Sequence, residues 1–471
     1  MNTPIKNTSS TLQPQLIKAF EDSVGSSNVL TSKADCLAYS YDNSRQQALP
    51  QAVVLPNNAN QVETIVKLCH HHKVVITARG RGTGTTGATV PDHGGIVLSF
   101  EHMNKIIEID TDNRLARVEP GVINQTLQDA LAEKGFFWPP DPTSASNCTI
   151  GGNLAYNSAG PRAVKYGTPR ENTLGLKAVS GTGDKFKTGS STTKGVVGYD
   201  LTRLLIGSEG TLAIITEATL KLTPLPEDKK TMQATFNSIN AAAKAVSAIM
   251  AQPTVPCALE MMDEEAIKMV KDFSDLGLDQ EAKAILMIEV DGAKHCLTSS
   301  VEDIHKACLV DGLLAFNVAH DQQTIEQLWK TRKSLSPALR NIAPSKINED
   351  VVVPVSNIPD LINGLQKISS KHQILIVNFG HAGNGNIHVN MLINPENPVH
   401  KANSDACLED IFKLVLSLDG TLSGEHGVGL VKRDYIKMEL DSTSVALMRG
   451  IKQHFDPQNI LNPDKTLPLD Q

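Results

Sequence analysis

No apolar run in the chain approaches the length needed to span a bilayer, so any membrane contact is expected to be peripheral. A basic stripe is missing as well. Lys229-Lys230 and Lys432-Arg433 are isolated pairs in a chain of formal net charge −7, which argues against a nucleic-acid partner. The seven cysteines, at 36, 69, 148, 257, 296, 308 and 407, are odd in number and never spaced Cys-x-x-Cys. That excludes a self-contained iron–sulfur cluster of familiar spacing and reads as reduced, mostly buried thiols of a cytoplasmic protein. Met1 to Ala19 lacks both the apolar core of a signal peptide and the arginines of a transit peptide. There is no solenoid period and no low-complexity tract.

What is present is an ordinary globular composition over 471 residues, more than one core usually supports, so two or more domains are expected. Helical and strand-like segments alternate, which predicts mixed α and β structure. Leu12 to Val24 has helical spacing, and Ala52 to Pro56, Gln61 to His70 and Val74 to Ala78 form a small β-α-β unit. His70, His71 and His72 are neighbours that point in different directions on a helix, and they are expected to close it at the negative end of its dipole. Thr223 to Lys230 is a polar, proline-punctuated linker. Beyond it, strands and helices alternate through Met232 to Phe236, Ser238 to Met250, Ala284 to Val290, Val301 to Leu309, Leu314 to Val318, Thr324 to Leu335 and Asp350 to Val355. From Ala406 the chain is mainly helical, ending with Ser444 to His454.

Gly82, Gly84 and Gly87, within Arg79-Gly80-Arg81-Gly82-Thr83-Gly84-Thr85-Thr86-Gly87, satisfy G-x-G-x-x-G. That fingerprint binds a dinucleotide where a helix opens at the glycines. Here Ala88 to Gly95, with Pro91 inside it, leads into strand-like Ile96 to Phe100, and no helix of useful length fits. The loop is expected instead to present backbone N–H groups to a phosphate as a nest. A second small-residue block runs from Pro140-Asp141-Pro142 through Ser144 to Gly151-Gly152-Asn153. A third, Gly207-Ser208-Glu209-Gly210-Thr211-Leu212, enters the alternating strand Ala213 to Leu222. Three such loops on one scaffold suggest a long cofactor with a pyrophosphate and a ring system.

Val377 to Asn390 reads as a hairpin: an apolar run enters it, Gly and Asn turn the chain, and alternation resumes at Ile387-His388-Val389-Asn390. Asn386, His388 and Asn390 then share one face, and His381 can approach His388 from across the bend. Glu425, in Ser423-Gly424-Glu425-His426-Gly427, would complete a His-His-Glu set with one open metal position. Taken singly, each histidine has an ordinary turn or core reading; together they point to a metal. His426 points away from a ligating Glu425 and is the candidate base.

These motifs, in this order and together with Phe455-Asp456-Pro457 to Leu461-Asn462-Pro463, resemble the FAD-linked D-2-hydroxyacid dehydrogenases of the vanillyl-alcohol oxidase superfamily. That group includes D-lactate and D-2-hydroxyglutarate dehydrogenases and the D subunit of glycolate oxidase. The resemblance covers nearly everything beyond Leu37. It implies an α+β fold: a two-subdomain FAD-binding domain over 1–226, an α+β cap domain with an antiparallel sheet and a C-terminal helical segment over 227–454, and a tail, 455–471, returning to the FAD domain. FAD would lie on Arg79, Gly80, Gly82, Thr83, Gly84, Thr85, Ser144, Gly151, Gly152, Asn153, Ile215 and Asn462, noncovalently, because the glycine loop carries no histidine for attachment.

By the same resemblance a divalent ion, zinc first and manganese second, is held by His381, His388 and Glu425. It chelates the substrate's hydroxyl and carboxylate, while His426 takes the hydroxyl proton and hydride leaves to flavin N5. Arg332, with Ser336 one turn on, is the expected carboxylate anchor, a bidentate one. Hydroxyglutarate-type relatives carry a lysine where Asn348 stands here; Lys346, on the same strand face, and Asn390 are further substrate contacts. D-lactate is the leading substrate, D-2-hydroxyglutarate the second and glycolate the third, the last with an iron–sulfur partner subunit. The expected electron acceptor is a quinone, a cytochrome or an electron-transfer flavoprotein, none of them singled out by the sequence, and a homodimer is expected because relatives are commonly dimers.

Overall fold

The computed structural model describes residues 11–271 and 279–469, without the side chains of 270, 271, 333, 336, 337, 340 and 341. The chain forms two compact units: Met1–Ala159, Gly167–Leu225 and Glu425–Gln471 make the first, and Gly160–Tyr166 and Pro226–Gly424 the second. The helix Ser442–Phe455, which the sequence groups with 227–454, therefore packs within the first unit, and the chain re-enters that unit at Glu425 rather than at 455.

In the first unit a four-stranded sheet has the order Val29–Leu30, Ala52–Val54, Ile96–Ser99, Ile76–Arg79. Its last three strands are parallel. They are almost wholly buried, as parallel strands covered on both faces must be. The helices Pro14–Val24 and Ala59–His72 supply Phe20, Val62, Ile65, Val66 and Cys69 to the same core. Asn58 caps the second of these, its Oδ1 accepting the N–H groups of Asn60 and Gln61 at 3.1 Å each, and the three histidines end it as expected.

The other sheet of this unit is five-stranded and antiparallel: Ile106–Asp110, Leu115–Val118, Ala213–Lys221, Thr173–Ser180, Lys185–Gly189. Only the third of these was anticipated from the sequence. Trp138, fully buried in its core, donates to Asn172 O at 2.9 Å. The C-terminal segment is joined to the first sheet, Ile76 N donating to Ile460 O at 2.7 Å and Asn462 N to Ile76 O at 2.8 Å.

The second unit is built on one seven-stranded antiparallel sheet, in the order Leu313–Val318, Asp228–Phe236, Ala284–Gly292, Ala258–Asp263, Leu375–His381, Asn386–Ile393, Ser345–Val352. The expected strand at Asp350 to Val355 is shifted toward the N-terminus. It pairs with Asn386–Ile393 from Ser345 onward, and Pro354, which has no N–H to give a ladder, lies beyond its end. The hairpin is as read: Ala382–Asn384 turns the chain, and Gly385 follows at φ +72°. A Cβ on Gly385 would stand 1.9 Å from Val353 O, so no other residue fits. Met262, Ile285, Met287, Val377, Phe379 and Leu392 form a core with Leu335 and Leu339 of the helix Gln322–Ile342.

Candidate functional site

The first unit contains a cleft. Of the expected cofactor residues, Arg79, Gly80, Gly151, Gly152 and Ile215 line it. Arg79, only 6% exposed, lies beneath the glycine loop: its Nη2 donates to Ala38 O at 3.3 Å and packs against Gly82. Burial lowers the guanidinium's pKa, and the nearby Asp42 opposes that. Asn43 engages the carbonyls of Thr83 at 3.1 Å and Gly84 at 2.9 Å. Because the peptide is trans and planar, this turns the N–H groups of Gly84 and Thr85 the opposite way. The N–H groups of Arg81 through Thr85 donate to no acceptor among the described residues. Free donors above a buried cation are the donor set an anionic pyrophosphate needs, so this unit fits a dinucleotide-like cofactor.

The second small-residue block, expected as a loop, holds a helix, Ile150–Tyr156. Thr149 caps it, accepting Gly152 N at 3.1 Å, and itself lines the cleft. A threonine three residues before Gly152 was the available signal for this helix start. Asn153 lies beneath the cleft, bonded to Asn124 at 3.0 Å; Ser144 and Asn462 also fall outside the lining. Asn462 instead ties the C-terminal segment down by donating to Ala88 O and Glu209 O, both at 2.8 Å. Tyr156, whose phenol burial holds well above its usual pKa, fills the space behind Gly84: a Cβ there would lie 2.5 Å from its Oη.

Glu209 was singled out only as part of a motif. It is 5% exposed, lines the cleft, and its carboxylate accepts Val428 N at 2.5 Å and Gly429 N at 2.8 Å. Burial raises its pKa, and those two N–H groups oppose the rise. Thr86 of the glycine loop adds its hydroxyl to His426 O at 3.3 Å and its carbonyl to Leu430 N at 2.8 Å. The loop bearing His426 is thus fastened to two of the cleft's own loops.

In the second unit, strand register puts Glu260, His381, Asn386, His388, Asn390, Asn348, Asp350 and Lys346 on one sheet face. The rings of His381 and His388 are 5.2 Å apart and nearly perpendicular. Asn348 Nδ2 donates to Asn390 Oδ1 at 2.5 Å. Gly424 N is held on Asp350, 2.9 Å from O and 2.9 Å from Oδ2, which fixes the chain one residue before Glu425. Two imidazoles side by side on one sheet face are nitrogen donors of the kind a divalent ion takes.

Glu260 was missed. It is 1% exposed; its Oε1 is 2.5 Å from His381 Nδ1, and its Oε2 meets Arg332 Nε at 2.8 Å and Nη2 at 2.7 Å. Burial alone would raise its pKa, but His381 and Arg332 outweigh that and hold the carboxyl at about 2. The side-on fork of Arg332, expected to grip substrate, therefore grips Glu260. Its guanidinium also stacks 4.8 Å from the Phe379 ring. The side chain of Ser336 lies outside the described residues. The available signal for Glu260 was a lone acid in the apolar run Ala258-Leu259-Glu260-Met261-Met262, which no local rule pairs with a partner.

Two family descriptions match the chain: an FAD binding domain over residues 50–189 and the C-terminal domain of FAD linked oxidases over residues 225–466. Glycolate oxidase subunit GlcD of Bacillus subtilis (strain 168) is 41% identical over 95% of this chain and 95% of its own. The probable mitochondrial D-lactate dehydrogenase of Danio rerio is 31% identical over 97% and 92% respectively. The D-2-hydroxyglutarate dehydrogenase of Stutzerimonas stutzeri (strain A1501) is 31% identical over 96% and 98%. Among solved structures, p-cresol methylhydroxylase with substrate bound matches with a TM-score of 0.79 at 18% identity, over 98% of this chain and 99% of that one. Alkyldihydroxyacetonephosphate synthase gives 0.78 at 19%, over 98% and 87%. Likeness at such identity speaks to the fold alone, which is that of the vanillyl-alcohol oxidase type. No described helix is long and apolar enough to cross a membrane. With the free backbone donors of the glycine loop and matches over nine-tenths or more of both chains, the chain belongs to the FAD-linked oxidase family and is an FAD-dependent oxidoreductase.

Proposed function

We propose that the protein oxidises a D-2-hydroxy acid, D-lactate first, to the 2-oxo acid with the help of a divalent ion at His381, His388 and Glu425. The supporting observation is the pairing of His381 and His388, whose rings stand 5.2 Å apart on one sheet face; with Glu425 as the third ligand the set leaves a coordination position for substrate. FAD, held noncovalently, supplies the two-electron acceptor. The ion, zinc or manganese, supplies Lewis acidity toward the substrate's oxygens. His426 is the base that takes the C2 hydroxyl proton at a ring nitrogen, and Glu209 and Thr86 hold its loop. Arg332 contributes Nη1, which has no partner among the described residues, to the substrate carboxylate. Asn390, Lys346 and Ser336 are the further substrate contacts. Asn348 engages Asn390 where hydroxyglutarate-type relatives place a lysine, which favours a monocarboxylate such as D-lactate over a dicarboxylate.

A second reading, a glycolate-oxidase-like subunit that needs an iron–sulfur partner, is supported by the 41% identity to GlcD. Anaerobic bleaching of the flavin by D-lactate, L-lactate, glycolate and D-2-hydroxyglutarate, with metal analysis of the same sample, separates the two. Bleaching by D-lactate supports the first reading. Bleaching by an L-acid alone overturns the stereochemistry, and a flavoprotein inert until the partner is added supports the second. His388→Ala is expected to lose the metal and keep FAD. His426→Ala should keep both and lose about 10²-fold or more in turnover; wild-type rates would remove it from the mechanism.

A further inference from the structure

We infer that Glu260 is a positioning residue that fixes the tautomer of His381 and the placement of Arg332 through one carboxylate, an inference that rests on the metal reading above. Glu260 lies directly opposite His381 on the neighbouring strand, 1% exposed. Its two oxygens are divided. Oε1 is 2.5 Å from His381 Nδ1, and Oε2 is 2.8 Å from Arg332 Nε and 2.7 Å from Nη2. An ionised carboxylate only accepts hydrogen bonds, so Nδ1 carries the hydrogen, and in the neutral imidazole that a metal takes Nε2 is then the nitrogen with the lone pair. The same contact stops the ring from rotating and raises its basicity, as carboxylates behind metal-bound histidines do.

The other oxygen acts on the helix Gln322–Ile342. Trp329, one turn before Arg332, donates Nε1 to Glu289 Oε1 at 2.9 Å, and Thr231 donates to the same oxygen at 2.8 Å. Two buried carboxylates on one sheet face therefore fasten two successive turns of this helix. Releasing Glu260 would free Arg332 while Trp329 still held, so its guanidinium would lose its place without the helix detaching. A carboxylate serving only as a counter-charge for Arg332 would have no need to contact His381. The divided contact is what points to a joint role.

Glu260→Gln tests this on the FAD-loaded protein without turnover, by titrating Co2+ against a chromophoric chelator and recording its absorption spectrum. Co2+ affinity is expected to fall about 10- to 100-fold at wild-type flavin content, with a raised KM for D-lactate. Lower thermal stability with wild-type Co2+ affinity would mean a structural role alone and overturn the inference. Because Glu260→Gln leaves Arg332 buried without a counter-charge, Glu260→Gln with Arg332→Met is measured beside it. That double variant should recover stability yet keep the weak Co2+ binding; wild-type affinity in it would also overturn the inference. His388→Ala is the control. If it binds Co2+ like wild type, the metal reading itself fails; if it loses Co2+ while Glu260→Gln does not, only the role of Glu260 fails.

Discussion

Replacing Glu209 by alanine removes the carboxylate that receives Val428 N and Gly429 N, at 2.5 and 2.8 Å, and a contact from Thr466 Oγ1 at 3.3 Å. The site is 5% exposed, so water does not readily take over. A buried donor left unsatisfied costs about 1–3 kcal/mol, so the two N–H groups together predict roughly 2–6 kcal/mol of lost stability in the first unit. Against a typical domain stability of about 5–15 kcal/mol that is a large fraction. Glutamine keeps one accepting oxygen, and its expected loss is roughly half. Urea unfolding followed by the rise of free-flavin fluorescence measures both. An alanine variant within about 0.5 kcal/mol of wild type, or glutamine as costly as alanine, would refute the reasoning. The pH dependence has a defined sign. Burial raises the Glu209 pKa above its usual 4.5, so between 4.5 and the raised value the folded state holds the extra proton. Wild-type stability from this residue is therefore greatest at low pH, falls as pH rises through that window, and levels above it. Glu209→Gln should abolish that share of the decline.

Gly84→Ala would bring a Cβ within 2.5 Å of the buried Tyr156 Oη, and it should cost roughly 1–3 kcal/mol and weaken FAD retention, read by flavin content after gel filtration. Full flavin content and unchanged stability would mean that Tyr156 moves freely. Lys452 Nζ reaches Asp456 Oδ2 at 2.5 Å and the carbonyls of Thr211 and Leu461 at 2.8 Å each. Lys452→Met strands the buried Asp456, and it should cost about 3–5 kcal/mol by thermal or urea unfolding; a change under about 1 kcal/mol would show that this pair does not anchor the C-terminal segment.

The sequence by itself determined the features that depend on near neighbours. Glycines and prolines located the turns, period-2 alternation located the His388 strand, and Gly385 is demanded by a positive φ that needs no distant partner to recognise. The His-Gly-Asn hairpin and its two imidazoles were legible for that reason, as were the glycine loop and its failure to open a helix. Tertiary structure alone decided the rest. Glu260 and His381 are 121 residues apart in the chain, and nothing local says which cation a buried acid will meet. The helix at Ile150–Tyr156 looked like a loop because its glycines are poor helix formers; its cap Thr149 and the packing of Ile150 and Leu154 override that weak propensity. Arg332 was identified as a cation near the site, but whether its fork faces substrate or protein depends on which carboxylate the fold brings beside it. Here that carboxylate belongs to a strand paired with the one that ends in His381, because a charge removed from water must be matched by whatever the sheet's register places opposite it.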